Sequence, residues 1–144
     1  MTLRLTRVVP APRDAVFRAW TDPAALTRWW VPFEGMTMPT AEVDLRPGGR
    51  YRFTMRSAKG EEFHVTGTYR EVRPPERLVY TWRWEGTAHD APEETLVTVD
   101  FEATGATTLL HLTHERFSDA DARARHGLGW NGVLDRLVAT MGNA

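Results

Sequence analysis

Apolar and polar positions change their spacing several times along the chain, and each change marks a new element. Leu3, Leu5 and Val9 alternate with Thr2, Arg4 and Thr6, which predicts a half-buried first strand. Pro10 and Pro12 end it, and Pro12 suits the first residue of a helix. Val16, Phe17 and Trp20 then share a helical face. Asp22-Pro23 reads as an N-cap followed by proline, with Leu26, Trp29 and Trp30 behind it at helical spacing. Two short helices in tandem are expected, closed by Pro32 and Phe33.

From Met36 the period becomes two. Ala41, Val43 and Leu45 alternate with Glu42 and Asp44, and Arg46-Pro47-Gly48-Gly49 turns the chain. Tyr51, Phe53 and Met55 oppose Arg50, Arg52, Thr54 and Arg56, the cleanest alternation in the sequence. A turn at Ala58-Lys59-Gly60 leads to Phe63, Val65, Gly67 and Tyr69, and Pro74-Pro75 breaks that strand. Leu78, Tyr80, Trp82 and Trp84 share one face of the next. A polar loop is expected from Gly86 to Glu94, then strands carrying Val97, Val99 and Phe101 and, after a Gly105-Ala106 hairpin turn, Leu110, Leu112 and His114.

The last stretch, Ser118 to Met141, reads as one long helix. Ser118 stands where an N-cap belongs, with Asp119 and Asp121 suited to the positive end of the helix dipole. Gly127, Trp130, Leu134, Leu137, Val138 and Met141 recur at spacings of three and four. Gly127, Gly129 and Gly132 are out of place there, since each costs about 1 kcal/mol against alanine in a helix interior. Close backbone approach to a sheet, or room left for a ligand beside the Trp130 indole, would offset that cost.

The expected architecture is α+β: a strand, two short helices, six more strands and a long helix, forming one domain over residues 1–144. A curved antiparallel sheet presents a broad apolar face, and the terminal helix alone is long enough to cover it. A straight rod cannot fill a concave surface, so a cavity between sheet and helix is expected.

Composition narrows the classes of function. The chain has 144 residues, enough to bury about 70% of its unfolded surface without a staple. Cysteine is absent, which excludes thiol catalysis and thiolate metal sites and fits a reducing cytoplasm. No signal peptide is read at Met1, and no apolar run approaches the length of a membrane span. A net charge of −1 argues against a nucleic-acid partner, and Arg50, Arg52 and Arg56 read as a solvated strand face. Glu61-Glu62, Glu93-Glu94 and Asp100 with Glu102 read as solubilising charges.

No catalytic constellation emerges. Serine occurs only as Ser57 and Ser118, and Pro47-Gly48-Gly49 lacks the strand-to-helix context of a phosphate loop. His111 and His114 are separated by an odd number, which sends them to opposite faces of a strand and argues against a metal pair. His64, beside Thr66 and Thr68, is expected in solvent. His114 shares a face with Leu110 and Leu112; it reads either as a hydrogen-bonded residue at the core's rim or as a polar anchor for a ligand. No catalytic residue, metal ligand or cofactor is assigned.

Aromatic residues are the one unusual set, with six tryptophans. Trp29, Trp30, Phe33, Phe53, Met55, Tyr69, Tyr80, Trp82, Trp84 and Trp130 come from every part of the chain and could face one interior, with His114 and Leu134 beside them. Apolar walls with a few polar groups describe ligand pockets, and core packing accounts for the same residues.

Several stretches carry a family likeness: Ala15-Val16-Phe17 with Trp20-Thr21-Asp22-Pro23, Leu26-Thr27-Arg28-Trp29-Trp30, and Pro47-Gly48-Gly49 before Tyr51 and Phe53. Gly67-Thr68-Tyr69 with Val72, Pro74-Pro75-Glu76-Arg77-Leu78, and Gly129-Trp130 with Leu134-Asp135-Arg136-Leu137 continue it. Together they resemble the homologues of the activator of heat-shock-protein-90 ATPase, within the helix-grip superfamily of START domains and the birch-pollen allergen, often termed SRPBCC. The resemblance implies a seven-stranded antiparallel sheet around the C-terminal helix, with a hydrophobic cavity between them. That superfamily includes lipid carriers, hormone receptors, polyketide cyclases and self-sacrificing resistance proteins, so fold does not settle function.

The leading expectation is a soluble, cytoplasmic protein that binds a hydrophobic or aromatic small molecule, with binding favoured over catalysis and the question of enzyme activity left open. The alternatives are a cyclase- or hydrolase-like cavity enzyme using His114 or a tyrosine as acid–base, and a chaperone-associated interaction protein. The family's namesake carries an additional domain that this single domain lacks, so a chaperone partner is not expected. A homodimer is compatible with every reading.

Overall fold

Strands β1 (Leu3–Val9) and β2 (Thr37–Val43) follow one another among the strands of the chain yet lie on opposite edges of one sheet. The segment between them folds into helices α1 (Arg13–Thr21) and α2 (Pro23–Trp29) and carries the chain across. Beyond β2 come β3 (Arg50–Arg56), β4 (Glu62–Arg73), β5 (Arg77–Trp84), β6 (Thr95–Thr104) and β7 (Thr107–Glu115), then helix α3 (Ala120–Gly142). The sheet order is β1-β7-β6-β5-β4-β3-β2, with every neighbouring pair antiparallel. The computed structural model describes residues 1–86 and 93–142. Most of the polar loop expected after Gly86, and His89 within it, lies outside the described residues.

The expected seven-stranded, curled antiparallel sheet with a long terminal helix is the observed fold. Alternation sets which side chains enter the core. Tyr51, Phe53 and Met55 are buried on β3, Leu78, Tyr80 and Trp82 on β5, Val97, Val99 and Phe101 on β6, and Leu110 and Leu112 on β7. The opposite face carries charge, as in the ion pairs Arg52–Glu85 at 2.8 Å and Arg77–Asp100 at 3.3 Å. Thr104 pairs with Thr107, so Gly105-Ala106 is the two-residue turn expected, with Gly105 at φ 69°.

Local chemistry corrects some boundaries. Pro12 stands at the cap of α1, one residue before its first turn. Asp22 caps α2 as expected, its carboxylate accepting from the Ala25 N–H at 3.1 Å. The β2–β3 register shifts between Thr37 and Thr40, so both Met38 and Ala41 turn inward, and Leu45 lies past the strand end, exposed. Ser118 does not cap α3. Asp119 does, accepting from the Ala122 N–H at 2.7 Å, because the helix begins at Ala120 and the aspartate reaches its third amide. The Ser118 N–H donates to Glu93 instead, at 2.6 Å.

Helix α3 buries Gly127, Trp130, Val133, Leu134 and Leu137 against the sheet. Its glycines differ in what surrounds them. A Cβ at Gly132 would fall on the carbonyl oxygen of Pro32, so the loop after α2 crosses the helix backbone there. At Gly127 a Cβ would meet the two methyls of Leu3, at an ordinary 3.5 and 3.9 Å. The expected close approach is therefore real at Gly132, and its partner is the Pro32 loop, not the sheet.

That contrast gives opposite expectations for one substitution. Gly132→Ala should destabilise by about 2 kcal/mol or more, since backbone must move to admit the methyl. Gly127→Ala should stabilise by up to about 1 kcal/mol through helix propensity. Urea unfolding of both variants checks this, and a Gly132→Ala protein as stable as the parent would refute the close approach.

Candidate functional site

Packing inside the half-barrel stops short of the N-terminal half of α3 and leaves a cavity of about 420 Å³. The sheet contributes Met55, Phe63, Trp82 and Trp84, and the β3–β4 turn contributes Ser57. Trp30, Pro32, Phe33 and Met36 come from the segment following α2. Arg125, His126, Leu128, Gly129, Trp130 and Val133 come from α3. Phe33 and Leu128 are 52% and 67% exposed, so the cavity opens to solvent between them.

Of the residues expected at a site, Trp30, Phe33, Met55, Trp82, Trp84 and Trp130 border this cavity. Trp29, Phe53, Tyr69, Tyr80 and Leu134 are buried in the core and do not border it. Tyr51, Tyr69 and Tyr80 pack ring against ring at 5.2–5.9 Å, and burial pushes the pKa of each phenol well above its ordinary value. They stay protonated and act as core.

His114 also lies behind the wall, at 0% exposure. The Trp130 indole N–H donates to its Nδ1 at 2.9 Å. An indole nitrogen only donates, so Nδ1 carries no proton and Nε2 does. That N–H meets the Thr95 hydroxyl at 2.6 Å, and Thr95 donates onward to the Trp82 carbonyl at 3.2 Å. Both ring nitrogens thus bond to protein groups, and four elements, α3, β7, β6 and β5, are joined. His111 points to the other face, 3.0 Å from Glu102, as the odd spacing requires. His64, expected in solvent, is half-buried with its Nδ1 2.9 Å from the Thr54 hydroxyl.

Six indole N–H groups need acceptors, and four have them. Trp20 donates to the Tyr80 hydroxyl at 3.3 Å, Trp29 to the Ala19 carbonyl at 2.9 Å and Trp130 to His114. Trp84 donates to His126 Nε2 at 3.0 Å, while His126 Nδ1 donates to the Ala122 carbonyl at 2.7 Å. Those of Trp30 and Trp82, both on the cavity wall, are buried without an acceptor. Their rings meet instead the π-faces and edges of Phe53, Trp84 and Trp130 at 5.2–5.9 Å.

Sequence reading missed Pro32, Met36, Phe63, Arg125, His126, Leu128 and Val133 as lining. The helical residues were accessible to it: His126, Gly129, Trp130 and Val133 recur at spacings of three and four. Pro32 and Met36 had no periodic signal, because loop packing sets their place.

A model of the family described as Activator of Hsp90 ATPase homolog 1-like protein matches residues 10–142 of this chain. Among solved structures, a Chromobacterium violaceum protein is 34% identical, with TM-score 0.86, over 97% of this chain and 96% of its own. The AHSA1 protein of Silicibacter pomeroyi is 29% identical, with TM-score 0.87, over 99% and 98% of the two chains. An AHSA1-like protein of Aeromonas hydrophila is 27% identical, with TM-score 0.79, over 96% and 90%. No curated protein matches the chain.

Burial, and then the neighbouring His126, hold the proton affinity of His114 well below that of a free histidine. The unfolded chain therefore takes up a proton, from about pH 6.5 downward, that the folded chain refuses. Stability should fall on acidification through this window, at roughly 1.4 kcal/mol per pH unit for one such group. His114→Leu should cost about 1–3 kcal/mol at pH 8, by leaving the Trp130 N–H without an acceptor and removing the N–H that Thr95 accepts. It should also flatten the decline between pH 6.5 and 5. Urea titrations across that range check both effects, and an unchanged slope would contradict the neutral, relayed histidine.

Proposed function

We propose that this chain, which belongs to the Activator of Hsp90 ATPase homolog 1-like family, binds a hydrophobic small molecule between its sheet and the N-terminal half of α3. One observation carries the reading. The chain has six tryptophans, and the four at this wall, Trp30, Trp82, Trp84 and Trp130, border a 420 Å³ space without filling it. That volume lies within the ordinary range of ligand pockets, and its walls are mostly ring and thioether. Large apolar side chains beside empty space lose packing contacts, a loss that a ligand restores.

Binding, not catalysis, is the better-supported activity. His114, the histidine considered as an acid–base group, does not border the cavity and has both ring nitrogens bonded to protein. Phe33 and Leu128, the large exposed apolar residues nearest the space, form its lip, which supports an entry for a ligand more than a separate docking patch.

A ligand at about a hundred times its dissociation constant should stabilise the fold by about 2.7 kcal/mol and raise Tm by roughly 5–10 °C. Screening lipids, steroids and aromatic polyketides by melting temperature and tryptophan emission tests this. Val133→Phe, which places a ring in the space, should abolish the ligand-induced shift while the protein still melts cooperatively. A screen in which nothing shifts either signal overturns the reading.

A further inference from the structure

Most polar groups on the cavity wall are spent on the protein itself. The Trp84 and Trp130 indoles donate to His126 and His114, and His126 uses both ring nitrogens, toward Trp84 and the Ala122 carbonyl. Ser57, half-buried at the β3–β4 turn, accepts from the Glu61 N–H at 3.1 Å. Arg125 already has an interaction partner of its own. Among the described residues that line the space, two buried donors are left over. They are the indole N–H groups of Trp30 and Trp82, which have no acceptor although these residues are only 2% and 3% exposed.

Both rings belong to one patch of wall. Trp30 and Trp82 lie 5.9 Å apart, centroid to centroid, and pack on Trp130 at 5.7 and 5.2 Å. Neighbouring ring faces are second-order acceptors, a poor substitute for an oxygen. Three ligand classes meet such a wall differently. A hydrocarbon fills the space but leaves both donors shut away from water without an acceptor, which is costly. An anion supplies acceptors, but its charge among rings demands a counter-charge, and the guanidinium at the wall is already engaged. A flat aromatic molecule with a neutral carbonyl serves both needs: its rings pack on indoles, and its oxygen offers lone pairs to an N–H.

We infer that the cavity takes a neutral aromatic ketone or quinone, with its rings among Trp30, Trp82, Trp84 and Trp130 and its carbonyl oxygen on the indole N–H of Trp30 or Trp82. This rests on the cavity being a binding site, as proposed above, and adds the chemistry of the occupant. Protein atoms cover both nitrogens, so the contact forms by a small rotation of the indole into the space it borders.

Fluorenone and fluorene share one ring plan and differ at a single carbon, a carbonyl in the first and a methylene in the second. Titrated by calorimetry into the full chain, fluorenone should bind about threefold to tenfold tighter. Trp30→Phe and Trp82→Phe each keep a ring and remove one N–H. Looser packing in these variants weakens both compounds alike, so the ratio of affinities is the readout, and at least one variant should bring it toward one. The carbonyl stretch of bound fluorenone should lie below its value in alkane, a shift that needs no variant. Fluorene-9-carboxylate, an anion on the same rings, should bind more weakly than fluorenone. A parent ratio at or below one, a ratio unchanged in both variants, an unshifted stretch, or tighter binding of the carboxylate overturns the ketone while leaving the cavity reading in place. If neither fluorenone nor fluorene binds, this inference falls, and the wider screen described above decides the cavity reading separately.

Discussion

The interior of this protein is organised by the need to find acceptors for buried indole donors. The Trp130–His114–Thr95 relay meets that need for one donor and in doing so ties α3 to β7, β6 and, through the Trp82 carbonyl, β5. Each member fixes the next: the indole settles the tautomer of the histidine, and the histidine settles the direction of the threonine hydroxyl. A helix held only by apolar contact could slide or roll over a curved sheet. One held by a directional bond in the dry interior has a single register. The stacking of Trp20 on Trp130, at 6.1 Å and 15° between planes, continues that tie into α1.

A second tie lies on the far side of the same helix. Pro32 presses its carbonyl against the helix at Gly132, where no side chain could be accommodated. The loop that supplies Trp30, Phe33 and Met36 is held there, so one end of the cavity wall is anchored on backbone. Between the relay on one side and this contact on the other, α3 is placed closely enough that the space beneath it persists. The cavity follows from where the helix is held, and its apolar walls follow from strand alternation.

Much of this could be read from residues alone, and the division has physical causes. Strands announced themselves because each buries one face, as Tyr51, Phe53 and Met55 do, and their number and order needed only the turns between them. The long helix was equally plain. Its cap was misread because serine and aspartate stand side by side at 118 and 119 and both suit the position. Within the candidate site, periodicity could say which residues face inward but not where packing ends. Tyr69 and Tyr80 face the same interior as Trp82 and Trp84, yet the first pair lies in close-packed core and the second beside a void. That distinction depends on how far the sheet curls away from the helix, which no local pattern encodes. The role of His114 was open for the same reason, since its partners, Thr95 and Trp130, lie 19 and 16 residues away.

The pairing of β1 with β7 sets Leu3 opposite His114. The first strand made on the ribosome thus has no neighbour until nearly the whole chain has emerged, and α3 must follow before that strand's inner face is covered. Loop-closure entropy for such distant partners is met only when many contacts form together. The hairpins from β2 to β6 join strands that follow one another in sequence, so they carry no such delay. β1 alone is seated last in the sheet, and its apolar face stays uncovered until β7 and α3 are in place.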